Sequence, residues 1–252
     1  MSTAWERLYC GAPPDPATLL LRWNLDPVLL GLVAAAAWLV LGGPERGRGR
    51  LLAAVAVLAV LFVSPLCALT SALFSARSAH HLILIAVAAP LLASGLAASG
   101  RRARVPLGPG TAAVLHTIVL WLWHAPALYA AALGHVAIYW LMQASLLGTA
   151  VVLWRRVLAP DTELLPALLT LVGVMLQMGF LGAVLTFARE PLYAPHLLST
   201  APWGLSPLED QQLAGLLMWA PGMLPYLYAA LRMTMRALAF SDIREGPAWS
   251  RS

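Results

Sequence analysis

The stretch "LFSARSAHHLILIAVAAPLL" (residues 73–92) sets two adjacent histidines, His80 and His81, at the start of a long apolar run. A helix needs about 20 such residues to cross a hydrocarbon core of about 30 Å. The run lacks strict alternation, which argues against the roughly 10-residue alternating strands of an outer-membrane barrel. Backbone hydrogen bonds must be satisfied internally in lipid, and a helix does this within one segment. The rest of the chain has the same character. Of its 252 residues, 60% are hydrophobic and only 11% are charged, against about 25% charged in a soluble domain. Too little polar surface remains to cover a water-soluble fold, so the sequence specifies an all-α integral membrane protein.

Seven apolar spans are expected, at 27–43, 51–74, 79–99, 110–131, 135–158, 164–188 and 210–236. Clusters of Gly, Pro and Arg separate them, as in "GGPERGRGR" (42–50) and "SGRRARVPLGPG" (99–110). The chain then divides into an outer N-terminal segment (1–26), a seven-transmembrane-helix bundle (27–236) and a cytoplasmic tail (237–252). The first 26 residues carry Glu6, Arg7, Asp15 and Arg22 with no apolar run, which argues against a cleaved signal peptide.

An odd number of spans puts the termini on opposite sides. Arg46, Arg48, Arg50, Arg101, Arg102, Arg104, Arg155, Arg156, Arg232, Arg236, Arg244 and Arg251 fall on one side, and only Arg7, Arg22, Arg77 and Arg189 on the other. The arginine-rich side is expected to be cytoplasmic, which places the N-terminus outside. The net charge of +5 belongs to this topology signal and not to nucleic-acid binding.

On that topology His80, His81, His124, His135 and His196 collect at the outer ends of separate spans, with Asp210 opening the last span on the same side. Each alone reads as an interfacial side chain with a polar tip. Together they form a candidate ligand cluster, since ionisable groups near hydrocarbon face a bundle interior or cavity and neutral imidazole is a common metal ligand. His80 and His81 differ by about 100° around a helix, so one of them at most points to a shared centre. The positive dipole end of the helix they are expected to open would keep them neutral.

Other residues have plainer readings. Ser206, Pro207 and Glu209 fit a capping box, which accounts for Glu209 without function. Met142, Met175, Met178 and Met218 fall inside spans; thioethers suit Cu(I), but packing is the stronger reading. Cys10 and Cys67 are too few for a disulfide framework, and Cys67 reads as a buried inert thiol before a thiolate ligand. The four prolines between Pro191 and Pro207, with Trp203, make the loop 189–209 an ordered cap over the outer mouth. No nucleophile–base pair or phosphate loop stands out, and the chain is expected not to be an enzyme.

The ordered segments "LFSARSAHHLILIAVAAPLLASG" (73–95), "WLWHAPALYAAALGH" (121–135), "PLY" (191–193) and "DQQLAGLLMW" (210–219) resemble the CtaG family of cytochrome c oxidase assembly factors. The likeness runs from about "WNLDP" (23–27) to the end of the last span. It implies a seven-span protein of the bacterial cytoplasmic membrane that matures haem–copper oxidase, handles copper at its outer face, and meets oxidase subunits and a periplasmic copper chaperone. His81, His124, His135 and Asp210 stand at positions matching the family pattern. That pattern also places a histidine after "FSA", where this chain has Arg77; His80 lies on nearly the same face and is positioned to substitute. The expected copper ligands are therefore His81, His124 and His135, with Asp210 as an oxygen ligand or as an acceptor that fixes an imidazole, and His80 beside them.

Two other functions fit such a chain. A membrane cytochrome would hold b-type haem between two histidines deep within spans. A permease for copper or a small molecule would line the full membrane depth with polar groups, and below the outer layer the sequence offers mainly His116, Gln143 and Gln177.

Overall fold

The computed structural model describes residues 8–100 and 106–245, and these fold into helices with no strand among them. In chain order the helices are α1 (Pro27–Leu41), α2 (Arg48–Val63), α3 (Pro65–Ala72), α4 (Phe74–Ala98), α5 (Pro109–His124), α6 (Pro126–Gly134), α7 (Val136–Val157), α8 (Leu164–Thr186), α9 (Pro207–Trp219) and α10 (Leu224–Glu245). Helix α4 packs on α2, α7 and α9, and α8 packs on α5, α9 and α10. Helix α8 is apolar on its buried side and over most of its exposed side. Leu171, Val174, Met178, Leu181 and Leu185 are buried, while Leu165, Leu169, Leu176 and Phe180 are exposed. A helix that is apolar all round, with one apolar face left uncovered, is built for lipid.

The expected count of seven spans is met only in part. Phe74–Ala98, Val136–Val157, Leu164–Thr186 and Pro207–Ala239 are each long and apolar enough to cross a membrane. Two bent pairs, α2–α3 at 51° and α5–α6 at 75°, raise the number to six. Helix α1 has 15 residues, about 22 Å at 1.5 Å per residue, short of the roughly 30 Å core.

Proline explains the breaks. Pro65 and Pro126 cannot donate to the preceding turn, and each forces the residue before it out of helical geometry. Ser64 (ψ 169°) and Ala125 (ψ 123°) are accordingly extended. Pro90 has a subtler effect. The chain widens into a π turn at Leu84–Ala88, where the carbonyl of Ile85 would seek the missing N–H of Pro90. The indole of Trp154 on α7 donates to that carbonyl instead, at 2.8 Å.

Two boundaries differ from the sequence expectation. Helix α4 starts at Phe74 and not near residue 79, after a single extended residue, Leu73. His80 and His81 therefore lie beyond the first turn, and the N-terminal dipole no longer acts on them directly. The tail expected from residue 237 begins inside α10. Arg7, Arg101, Arg102, Arg104 and Arg251 lie outside the described residues.

The cysteines also differ. Cys10 and Cys67 form a disulfide that ties the N-terminal segment to α3, so Cys67 is neither a free thiol nor a thiolate ligand.

Helices α8 and α9 cross at glycine. A methyl group added to Gly182 would stand 2.8 Å from the carbonyl oxygen of Gly215, and one added to Gly215 would stand 2.5 Å from that of Gly182. Replacing Gly215 by Ala should destabilise the fold by about 1–3 kcal/mol, read as a lower unfolding temperature in detergent micelles. At Gly173, where an added methyl meets nothing within 4 Å, the same change should be neutral or stabilising by up to about 1 kcal/mol. Equal unfolding temperatures for the two variants would contradict the close crossing.

Candidate functional site

The site begins with a helix that cannot cap itself. Leu73 precedes α4 and offers no side-chain acceptor. The first N–H groups of a helix need partners, and a buried donor left unpaired is costly. Asp210, fully buried in the first turn of α9, supplies them. The N–H of Phe74 donates to its Oδ2 at 2.6 Å, and the N–H of Ser75 donates to its Oδ1 at 3.1 Å. The Ser75 hydroxyl donates to Oδ1 as well. The carboxylate thus holds the start of α4, and among the described residues it makes no hydrogen bond to an imidazole. Asp210 is free for this because Ser206 and Glu209 cap α9 by themselves with the expected capping box.

Two turns into α4, His81 faces His124, the last residue of α5. Two metal–nitrogen bonds of about 2.0 Å, plus roughly 1.1 Å from each nitrogen to its ring centre, allow ring centres at most about 6.2 Å apart across an ion on a straight line and about 5 Å apart at a tetrahedral angle; the two rings stand 6.5 Å apart, so a bound ion would draw them together. His124 Nδ1 donates to the carbonyl of Leu120 at 2.7 Å, which leaves the lone pair on Nε2. His81 Nε2 lies 3.4 Å from the side-chain amide of Gln143.

Between the two histidines is a small cavity with about 10 Å³ of room for the centre of a water-sized sphere. Ser78, Met178 of α8 and Met218 of α9 line it with them, and leucine and isoleucine complete the wall. Met178, Met218, His81 and His124 are all buried. The glycine crossing brings the thioethers together, because Met178 lies four residues before Gly182 and Met218 three after Gly215. In the sequence each methionine reads first as packing and second as a Cu(I) ligand. That shared glycine spacing was the signal that could have placed them on one face.

The other candidates lie apart from this cavity. His80 is buried edge-on against Phe62, with ring centres 5.0 Å apart, and faces away as the 100° offset requires. His135 is an exposed hinge residue between α6 and α7. His116 is buried lower in the bundle and bonds Thr149 at 2.9 Å. Gln177 is exposed on α8 and adds nothing to an internal polar path. Arg77 is buried one turn before His81. Its guanidinium carbon stands 5.3 Å from the centre of the Tyr139 ring, and its Nε and Nη1 have no hydrogen-bond partner among the described residues. Among the described residues, no three His, Cys, Asp or Glu side chains converge as a metal-binding group.

The loop after α8 covers this end of the bundle, as its prolines led us to expect. Tyr193 stacks on Phe74 with ring centres 3.8 Å apart and donates to the carbonyl of His124 at 2.9 Å. His196 Nδ1 faces the carbonyl of Ala72 at 3.3 Å, and Tyr129 bonds its Nε2 at 2.7 Å, so both nitrogens are occupied. Trp203 donates to the carbonyl of Pro14, joining the loop to the N-terminal segment that the disulfide anchors.

Fold and site together define a multi-helix membrane protein with a buried cavity of two imidazoles and two thioethers near one end. The chain belongs to the cytochrome c oxidase caa3 assembly factor family (Caa3_CtaG), whose family model matches residues 48–239. That match runs from the start of α2 into α10 and includes every residue of the cavity. No curated protein and no solved structure gives a match.

The loop latch should respond to acid. Burial, followed by the nearby Arg77 charge, lowers the pKa of His196 to about 4. The docked loop holds the neutral ring, whereas the released ring takes a proton near pH 6.5. Docking is therefore at full strength above about pH 6.5 and weakens as pH falls towards 4, by at most about 3 kcal/mol. A nitroxide at the exposed Leu198 should become more mobile over that range, and the change should vanish in His196→Gln. The same transition in the variant would assign it to another group.

Proposed function

We propose that this protein holds copper as cargo at the outer end of its bundle and passes it to cytochrome c oxidase during assembly. The observation that carries the proposal is the pair His81 and His124, whose rings stand 6.5 Å apart and border one small buried cavity. A haem between the same rings is disfavoured, since a macrocycle needs a pocket on the order of several hundred Å³ and the cavity has room for one small atom. A through-membrane path is disfavoured by the exposed position of Gln177.

The side on which this cavity opens rests on two independent supports. One is the arginine distribution, twelve against four. The other is the Cys10–Cys67 disulfide at the cavity end, since disulfides persist on the oxidising side of a membrane. Both favour an outward cavity, an outer N-terminus and a cytoplasmic C-terminus in the bacterial inner membrane. Seven crossings then follow if α1 completes the bundle as a short, tilted or partly inserted helix. The donor on this side would be a periplasmic copper chaperone, and the recipient an oxidase subunit. Asp210 acts by positioning α4, and nothing in the cavity calls for enzymatic chemistry.

Purified His81→Ala and His124→Ala should each lose copper affinity by at least about tenfold, since even groups supporting a metal ligand are worth 10–100-fold. Cells carrying either variant should accumulate immature oxidase despite normal membrane levels of the protein. Wild-type copper content together with full oxidase activity in both variants would remove the site.

A further inference from the structure

We infer that the cavity is selective for monovalent copper, with Met178 and Met218 as thioether ligands that complete the set begun by His81 and His124; the inference rests on the reading that this cavity takes copper. Four observations point the same way. The first is the donor set: two imidazole nitrogens and two thioether sulfurs on four different helices, α4, α5, α8 and α9, all bordering one cavity. Thioethers are soft, and soft ligands select Cu(I), while Cu(II) prefers nitrogen and oxygen in a tetragonal arrangement.

The second is charge. Among the described residues no Asp, Glu or Cys lines the cavity, the nearby carboxylate of Asp210 is committed to the start of α4, and Arg77 adds a buried positive charge one turn from His81. The cost of burying an ion grows with the square of its charge, so a divalent ion pays roughly four times the penalty of a monovalent one. Neutral ligands beside a cation offer nothing to offset the difference.

The third is size. Room of about 10 Å³ sits at the lower bound for one water. It suits a bare ion that has shed its hydration shell, as a soft, weakly hydrated cation does more readily than a small divalent one. The fourth is support. The methionine backbones are fixed by the Gly182–Gly215 crossing, and His124 by its bond to Leu120. Ligands on helices hold a geometry better than ligands on loops.

Neutral donors also suit a carrier. Thiolates bind Cu(I) more strongly than thioethers and imidazoles do, so a site lacking thiolate releases its ion to a stronger recipient without a redox step.

Anaerobic titration of the full-length protein in detergent, with Cu(I) partitioned against a colorimetric chelator and parallel titrations with Cu(II) and Zn(II), tests the inference. We expect Cu(I) to bind at least about a hundredfold more tightly than either divalent ion. X-ray absorption at the copper edge should show sulfur near 2.3 Å, about the length of a metal–sulfur bond. Met178→Leu and Met218→Leu, which conserve volume and keep the fold, should each weaken Cu(I) by at least about tenfold and diminish the sulfur shell. Met175→Leu, on α8 but outside the cavity lining, should change neither. If His81→Ala loses copper while both leucine variants keep wild-type Cu(I) affinity and no sulfur shell appears, the thioether assignment is wrong and the copper-carrier reading stands. Cu(II) binding as tight as Cu(I) would likewise overturn the selectivity alone. If the wild-type protein takes up copper in neither state, the carrier reading itself is wrong.

Discussion

The carboxylate of Asp210 determines where the central helix begins. A helix entered from an extended leucine has exposed N–H groups and nothing local to bond them. In lipid or a dry interior that deficit is expensive. Asp210 removes it from across the bundle, and in doing so fixes α9 against α4 at a set height. His81 lies two turns along α4 from that point and Met218 two turns along α9. One polar contact thus sets the relative height of both, and the Gly182–Gly215 crossing adds Met178 from α8.

The breaks in the helices serve the same end of the molecule. Pro65 and Pro126 bend two helices there, so that α3 and α6 fold over instead of running on. The disulfide then draws the N-terminal segment onto α3, and the loop holding Tyr193 and His196 closes over α4 and α5. The buried cavity is therefore roofed by segments whose anchors are a covalent bond, aromatic stacking and a neutral imidazole. The opposite end is simpler, with surface pairs such as Arg156 and Asp161 at 3.5 Å.

Much of this was legible in the sequence. Apolar runs near 20 residues dictate membrane helices, and the capping box at Ser206 and Glu209 follows from residue types at fixed spacing. The divergence of His80 from His81 follows from helical periodicity, as does the ordered cap from its prolines. The family resemblance agrees with the family model. What was not legible depended on contacts distant in sequence. Asp210 reads as a ligand or as an acceptor for an imidazole, and only the fold shows it committed to Phe74 and Ser75. His135 reads as a partner of His124 because few residues separate the ends of the two spans expected to carry them, yet the 75° bend at Pro126 turns it out to an exposed hinge. Cys10 and Cys67 are 57 residues apart and gave no local sign of pairing. Met178 and Met218 were hidden by the ubiquity of methionine in apolar helices.

In the proposed site Asp210 serves the helix and the cavity residues serve the ion, and these roles separate experimentally. Hydrogen–deuterium exchange at the amides of Phe74 and Ser75, measured together with copper affinity in wild type and Asp210→Asn, is the most direct test. The account predicts that both amides are protected in the wild type and exchange faster in the variant. Affinity should fall by about 10–100-fold, as for loss of a supporting group, while the copper-edge spectrum of the metal still bound is unchanged. Unaltered exchange with a lost oxygen ligand in the spectrum would make Asp210 a direct copper ligand and contradict the central claim.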